Sequence, residues 1–337
     1  MKITKRNHYN PCFWTALWNP DYFDSFIKGT SSKLGVREQM VYALSVKSGN
    51  IFHSKVDNIH FEKNLGMAEI TFEASINFYK RYHPQEFEEF RKRNKPEDYP
   101  VFIDLEDLLT QLEKSRVYKN ILLETIRNQT IITPFEKGAL ACFVYIQLLR
   151  GHAAMSSLLE WNAEIGKDKF EYFVLLRWAL SNKKFLHAQI DPILLTRWVF
   201  YRMPADTFPL SDSPILIKGE SVMVTLSPRL LLEILPEHAL DEISWDIKEG
   251  IDKHKLEEFR RRTIGNTFRE IIFSNKELLE EWRQTEEFEK RVSVISNMKS
   301  YNARVVKEKQ ELWQLNVFGN QNVSKTASKQ KRPRRRK

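Results

Sequence analysis

The chain has 337 residues, of which 42% are hydrophobic and 12% aromatic, and its formal net charge at pH 7 is +9. This composition excludes a chain that is disordered over most of its length, and it allows a sizeable core. No apolar run approaches the roughly 18 residues needed to cross a bilayer, and no apolar segment follows the basic first residues. We therefore expect a cytoplasmic protein without a signal peptide or a membrane contact.

Most of the net charge lies in the last residues of the sequence. Residues 321–337 contain eight lysines and arginines and no acid, so residues 1–320 carry only 9 − 8 = +1. The body is therefore nearly neutral, and a basic groove is not implied by the overall charge. The charge pattern and periodicity predict an α+β core domain at 1–254, a charged helical region at 255–318 packed on or next to the core, and a disordered basic tail at 319–337.

The first half of the chain predicts a hairpin followed by helices. Residues 41–46 and 51–56 are rich in β-formers and flank a turn that contains Gly49. Leucines repeat at three and four residues after Asp104, a predicted cap, and another helix is predicted at 170–180. Thr133 and Glu136 form a capping box with a proline between them, which predicts a helix that runs to Arg150.

The second half predicts strands and then charged helices. Strands are expected at 197–202 and 214–217, with a third at 222–226. Residues 255 to about 315 are expected to be helical, with one more capping box from Ser274 to Glu277. The fold class that we predict is therefore α+β, with a predominantly helical core, a small antiparallel sheet and hairpins.

Three short motifs contain candidate catalytic residues. His8 lies in Asn-His-Tyr-Asn-Pro, where it is either an acid, base or metal ligand or a hydrogen-bonded anchor of the segment. Gln147 and Arg150 share one face at the end of an apolar helix, where a guanidinium suits a phosphate but also suits a helix C-terminus. Asp212, in Ser-Asp-Ser-Pro between two strands, is either an acid, base or metal ligand or the cap of its own turn.

Motifs for metals and nucleotides are missing from the sequence. It contains no H-E-x-x-H and no C-x-x-C, so no metal site is predicted, and the cofactor is left unknown. It also lacks a Walker A sequence and a G-x-G-x-x-G. Cys142 is expected to be an inert core residue, and for Cys12 a structural role is favoured over a chemical one.

The basic tail is interpreted as a contact with nucleic-acid phosphates, as a nuclear-import-like signal or as a solubilising tail. An acidic membrane surface is a further candidate partner, but no lipidation motif or amphipathic helix accompanies the tail. We favour the nucleic-acid contact. The charged helices at 255–315 are a candidate surface for a protein partner. The predicted nucleic-acid-binding residues are Lys329, Lys331, Arg332, Arg334, Arg335, Arg336 and Lys337.

Taken in order, the three motifs resemble those of a bacterial family catalogued as a domain of unknown function. The likeness covers roughly residues 5–235 and includes the His-Tyr-x-Pro start, the helix that ends Gln-x-x-Arg, the Ser-Asp-x-Pro loop and a later Leu-Ser-Pro. The sequence departs from that pattern at Asn7, where many members have a second histidine, and at Cys12, where arginine is common. The resemblance implies an α+β domain in which the motifs meet at one site, and it brings no reaction.

These observations lead to two hypotheses of different classes. The first is a nucleic-acid or phosphodiester hydrolase, such as a nuclease-like defence or toxin component. In it His8 is the acid or base, Arg150 holds a phosphate, and Asp212 positions His8 or a cation. Gln147 then orients water or substrate. The alternative is a non-catalytic module that binds nucleic acid or protein and whose polar motifs are structural.

Overall fold

The computed structural model describes residues 6–63, 67–104, 109–111, 119–151, 182–218, 221–238 and 245–296. The strands are β1 (Arg6–His8), β2 (Met40–Ser45), β3 (Ile51–Lys55), β4 (Phe61–Lys63), β5 (Met67–Ile70), β6 (Val101–Asp104), β7 (Thr196–Arg202), β8 (Leu210–Ser211), β9 (Ile215–Lys218), β10 (Ser221–Ser227), β11 (Leu230–His238), β12 (Trp245–Glu249) and β13 (Glu270–Phe273).

Helices alternate with these strands along the chain. The α-helices are α1 (Cys12–Thr15), α2 (Pro20–Ile27), α3 (Phe72–Tyr82), α4 (Phe87–Arg93), α5 (Ile121–Asn128), α6 (Pro134–Arg150), α7 (Lys183–Leu194), α8 (Lys253–Asn266), α9 (Lys276–Arg283) and α10 (Glu286–Ser296). Short 3₁₀ turns occupy Ala16–Trp18, Val36–Glu38, Val56–Asn58 and Pro96–Asp98.

Two sheets form the centre of the described fold. One has five strands in the order β12-β7-β11-β10-β9, in which β12 and β7 are parallel and the other neighbours antiparallel. The other has four antiparallel strands in the order β3-β2-β13-β8. Because β8 and β9 belong to different sheets, the Ser211–Asp212–Ser213–Pro214 segment connects the edges of the two sheets.

Side chains that alternate along the strands fill two separate hydrophobic cores. In β7, Trp198 and Phe200 face one core, whereas Val199 and Tyr201 face the other, as the two-residue period of a strand requires. The first core also buries the aromatic residues of α1 and the apolar face of α6, and the second buries Phe259 of α8. The sheets therefore have apolar side chains on both faces, which explains the near-continuous hydrophobic runs in β10 and β11.

The α+β class is confirmed, but the sheet content was underestimated. In place of one small antiparallel sheet, the described residues form a mixed five-stranded sheet, a four-stranded sheet and the pairs β1-β4 and β5-β6. The predicted helix from 255 to 315 is wrong at β13, because Ile271 and Ile272 pair there with β2 and β8. Asp104 ends a strand, and the helix predicted after it lies largely outside the described residues, as do the helix at 170–180 and the tail.

Several local predictions are confirmed at their expected positions. The hairpin is β2-β3, and the predicted strands correspond to β7, β9 and β10. The Thr133 hydroxyl accepts from the N–H of Glu136, and the Glu136 carboxylate accepts from the N–H of Thr133, so the predicted capping box starts α6. At α9 the prediction is one residue off, because Asn275 rather than Ser274 accepts the capping hydrogen bond, from Leu278 N.

Candidate functional site

The N-terminal segment is built into the body of the protein by main-chain hydrogen bonds. β1 pairs with β4, and Tyr9 N donates to His60 O at 2.7 Å. The side chains of His8, Tyr9 and Asn10 are all buried, with at most 4% exposed. A segment this close to the N-terminus would fray unless it were tied down, so its position depends on these partners.

The helix α6 holds this segment with two of the predicted site residues. Gln147 and Arg150 are three residues apart, so they project from the same face of the helix. Arg150 donates from Nε to His8 O at 2.7 Å, and Gln147 donates from Nε2 to Tyr9 O at 3.3 Å. Both side chains are buried. Both of these contacts are with carbonyl oxygens, so α6 holds the main chain of this segment in place.

Asn10 occupies the centre of the arrangement. Its Nδ2 donates to His60 Nδ1 and to Ser211 O, both at 2.8 Å, and its Oδ1 accepts from Gln147 Nε2 at 3.3 Å. Because His60 Nδ1 accepts this bond, the proton of the neutral ring lies on Nε2, which donates to Glu270 O at 3.0 Å. We refer to Asn10, His60, Gln147 and Arg150 as the polar network.

Asp212 lies beside this network, at the junction between the two sheets. Its carboxylate oxygens accept from the main-chain N–H groups of Phe268 at 3.1 Å and Arg269 at 2.9 Å, immediately before β13. Complete burial raises the pKa of Asp212 to about 8, with a further contribution from the Glu270 charge, although the two N–H donors act in the opposite direction. The predicted turn cap is wrong in detail, since Ser211 Oγ accepts from Ser213 N.

The Arg150 helix end and the Asp212 loop are in close contact. Gly151, which directly follows α6, packs closely against this loop. If it were alanine, its Cβ would lie 3.7 Å from the Ser213 Cα and 3.9 Å from Asp212 O. Together with the Asn10 bond to Ser211 O, this contact brings all three sequence motifs into one region of the fold. The motifs therefore meet, and they meet through buried main-chain groups.

The His8 side chain points to a different set of neighbours. Its Nε2 lies 3.3 Å from Asp57 O, to which the neutral ring donates a hydrogen bond. Burial lowers the pKa of His8 to about 4, and the positive charges of Arg150 and Arg37 lower it further, while the Asp57 carbonyl acts against them. The ring is therefore neutral at pH 7. The described hydrogen bonds link His8 to Asp57 and Asp212 to residues 268 and 269, so none of them joins His8 to Asp212.

Three potential metal ligands meet beside this ring. One ligand atom each from His8, Cys12 and Asp57 lies within 4.8 Å of the other two, and the described part of the chain contains no second group of this kind. Cys12 begins α1 and is half-buried, and Asp57 lies in the Val56–Asn58 turn. Arg37 donates to Asp57 Oδ1 at 2.7 Å. We refer to His8, Cys12 and Asp57 as the ligand cluster.

The structure thus places the four predicted catalytic residues in one region of the fold. Their hydrogen-bond partners differ from the prediction, because no described hydrogen bond joins Asp212 to His8 and Arg150 donates to a carbonyl oxygen. The roles in catalysis stay predictions, while the described contacts of Gln147, Arg150 and Asp212 are those of structural residues. Sequence reasoning missed Asn10, His60 and Asp57. Asn10 lies two residues after His8 in the same motif, so the sequence could have indicated it as a site residue. His60 and Asp57 are some 50 positions away from His8, and only the fold makes them neighbours of this motif.

Comparisons of the chain with protein-family models, with curated proteins and with solved structures find no match. The resemblance to the bacterial family therefore stays a prediction. No described helix is both long enough and apolar enough to cross a membrane. The seven predicted nucleic-acid-binding residues at 329–337, and the part of the charged region after Ser296, lie outside the described residues.

Proposed function

We propose that this protein binds nucleic acid without sequence preference through its basic tail, and that its polar motifs hold the core together. The observation that carries this proposal is the charge asymmetry, in which residues 321–337 contribute eight positive charges and the other 320 residues a net charge of +1. A strongly cationic segment neutralises phosphates and releases their counterions, so its binding does not depend on the base sequence. The charged helices that start at 253 are a further proposed surface, for a protein partner.

The contacts of the motif residues support the structural half of the proposal. A phosphate clamp must offer its guanidinium to a ligand, but the Arg150 side chain is only 5% exposed and its Nε holds His8 O. Gln147 and Asp212 are fully buried, with hydrogen bonds to the main chain of other segments. Such groups stabilise a fold because burying them without partners would cost about 1–3 kcal/mol each.

The test compares the full chain with a chain truncated after Gly319. Binding of a fluorescently labelled DNA duplex is measured from low to high salt. Each neutralised phosphate contributes about −0.9 to the slope of log affinity against log salt, so full engagement of the eight charges predicts a slope of about −7. Truncation should weaken binding to every duplex sequence equally and flatten the slope, whereas unchanged affinity and slope would exclude the tail as the contact.

A matched variant separates charge from specific recognition. Lysine in place of each tail arginine keeps all eight charges but removes the planar two-pronged donor. Because counterion release depends on charge, this variant should keep the slope and most of the affinity. A large loss would instead indicate specific arginine contacts and would overturn the proposal of binding without sequence preference. The four positions are Arg332, Arg334, Arg335 and Arg336.

A second proposal is hydrolysis of a phosphodiester, and the ligand cluster favours it. A buried neutral imidazole beside a thiol and a carboxylate offers groups that can transfer a proton or hold a metal ion for hydrolysis. The test is a screen of the purified protein against labelled single-stranded and duplex substrates. Activity should be lost in His8→Ala and kept in His53→Ala, which alters an exposed histidine stacked on Tyr42. Equal activity of the two variants would count against hydrolysis at His8.

A further inference from the structure

The ligand cluster combines the three side-chain types that bind zinc in proteins. Zinc is coordinated by imidazole nitrogen, thiolate sulfur and carboxylate oxygen, and the cluster supplies one of each. Ligand atoms around a tetrahedral zinc ion lie on the order of 3–4 Å apart, given bonds of about 2.0–2.3 Å. The three atoms of the cluster lie within 4.8 Å of one another, so small side-chain rotations would bring them to the required spacing.

The main chain at each ligand is held in place by other parts of the fold. Arg150 Nε donates to His8 O, and Tyr9 N donates to His60 O, so the peptide group that directly follows His8 is fixed at both its carbonyl and its N–H. Cys12 packs against the first hydrophobic core, and Asp57 follows a strand of the four-stranded sheet. Ligands on such anchored segments lose little further freedom on binding a metal, which favours affinity.

The neighbours of the cluster are those found around bound zinc. A zinc-binding histidine nearly always donates its other ring N–H to a carbonyl or carboxylate oxygen. His8 donates from Nε2 to Asp57 O, which leaves Nδ1 as the ring nitrogen that would bind the metal. Ligating carboxylates are in turn hydrogen-bonded, and Arg37 donates to Asp57 Oδ1. Cys12 and Asp57 are only partly buried, so an ion can reach the cluster from solvent.

We propose that His8, Cys12 and Asp57 form a binding site for a single zinc ion. Three protein ligands leave one of the four tetrahedral positions for water, which is the arrangement of catalytic zinc rather than of closed structural sites. Zinc fits this mixed set of nitrogen, sulfur and oxygen donors better than magnesium or calcium, which prefer oxygen ligands throughout. The site is independent of the basic tail and of nucleic-acid binding.

The experiment uses the full chain, freed of metal with a chelator and then titrated with zinc chloride in a calorimeter. We expect one equivalent to bind. In a parallel titration with cobalt chloride, a thiolate-to-cobalt absorption band in the near ultraviolet should appear, because a cysteine is among the ligands. Absence of binding, or a cobalt complex without that band, would overturn the proposal.

Conservative variants identify the ligands. Cys12→Ser and Asp57→Asn should each weaken zinc binding by at least about 10–100-fold, since even outer-shell changes have effects of that size. Cys142→Ser is the matched control, because its thiol lies on α6, and burial raises its pKa to about 11. Zinc affinity should be unchanged in this control. Wild-type affinity in Cys12→Ser, or a loss confined to Cys142→Ser, would refute the site.

Folding of each variant is checked by near-ultraviolet circular dichroism before titration. If Cys12→Ser does not fold, the cobalt spectrum of the wild-type chain decides whether the thiolate binds, and Asp57→Asn decides whether the carboxylate does. A wild-type thiolate band together with a weakened Asp57→Asn variant would support the proposal. Wild-type affinity in Asp57→Asn would contradict it.

Discussion

Replacing Arg150 with lysine distinguishes a structural arginine from a phosphate clamp. In lysine a methylene group takes the position of Nε, so the donor that lies 2.7 Å from His8 O is lost although the charge is kept. A buried hydrogen bond from a charged donor contributes roughly 1.5–3 kcal/mol. Because Arg150 is 5% exposed, water cannot replace this bond. We therefore expect the free energy of unfolding to fall by about 2 kcal/mol.

This loss corresponds to a measurable change in melting temperature. The entropy of unfolding is about 2.1 cal/mol/K per residue, which gives roughly 0.7 kcal/mol/K for a chain of this length. A loss of 2 kcal/mol should therefore lower Tm by about 3 °C, as measured by calorimetry and checked by urea unfolding. The control is Arg93→Lys, whose side chain is 75% exposed and pairs with Glu89, and it should change stability by less than about 0.5 kcal/mol.

Two results would refute this reasoning. If Arg150→Lys unfolds like the Arg93→Lys control, the Nε contact does not stabilise the N-terminal segment. If it also loses an activity that the wild-type chain has, Arg150 acts on a ligand, as the hydrolase hypothesis requires. The structural role predicts the reverse, with a loss of stability and little effect on tail-mediated binding.

Two further predictions concern pH and the tail. Burial holds the pKa of His8 at about 4, against 6.5 in an unfolded chain. Neutral His8 therefore contributes roughly 3 kcal/mol to the free energy of unfolding above pH 6.5, and this contribution is lost as the pH falls from 6.5 through 4. In urea unfolding with a chelator present, the stability difference between wild type and His8→Gln should shrink by that amount from pH 7 to pH 4, and a constant difference would contradict it. Truncation after Gly319 should change Tm by at most a few degrees, because the tail has almost no apolar side chain to bury, and a larger fall would show that it packs on the body.

The parts of the fold that sequence predicts well are those with local causes. The start of α6 follows from Thr133, Pro134 and Glu136, whose capping bonds form within four residues. The hairpin β2-β3 follows from two runs of β-formers around a turn in which Gly49 has a positive φ of 69°. In both cases the interactions that decide the structure lie within a few residues of one another.

Elements that depend on distant partners were missed. β13 is four residues long and lies in a strongly charged stretch that reads as helix. Its Ile271, Ile272 and Phe273 become a strand because β2 and β8 lie on either side of it, and both are remote in sequence. Three apolar residues between charged helices do not give a clear strand pattern in the sequence, so this strand is predictable only from its tertiary pairing.

The candidate site shows the same division. The shared face of Gln147 and Arg150 follows from helical spacing, and the contact among motifs was expected from the family resemblance. That the contacts would reach carbonyl oxygens of His8 and Tyr9 was beyond sequence reasoning, because every residue has the same main-chain acceptor. The role of His60 could not be predicted either, since its left-handed φ of 51° and its bonds to Asn10 and Glu270 O are properties of the folded chain.

The two sides of His8 therefore have separate roles in the structure. Its carbonyl oxygen is held by Arg150 from α6, while its imidazole faces Asp57 and Cys12. Because the bond from Arg150 goes to the carbonyl oxygen, it fixes the backbone at position 8, while the imidazole contacts a different set of groups. A histidine needed only to pin the segment would not require that ring to lie beside a thiol and a carboxylate. The polar network thus fixes the backbone at position 8, and this backbone places the imidazole in the ligand cluster.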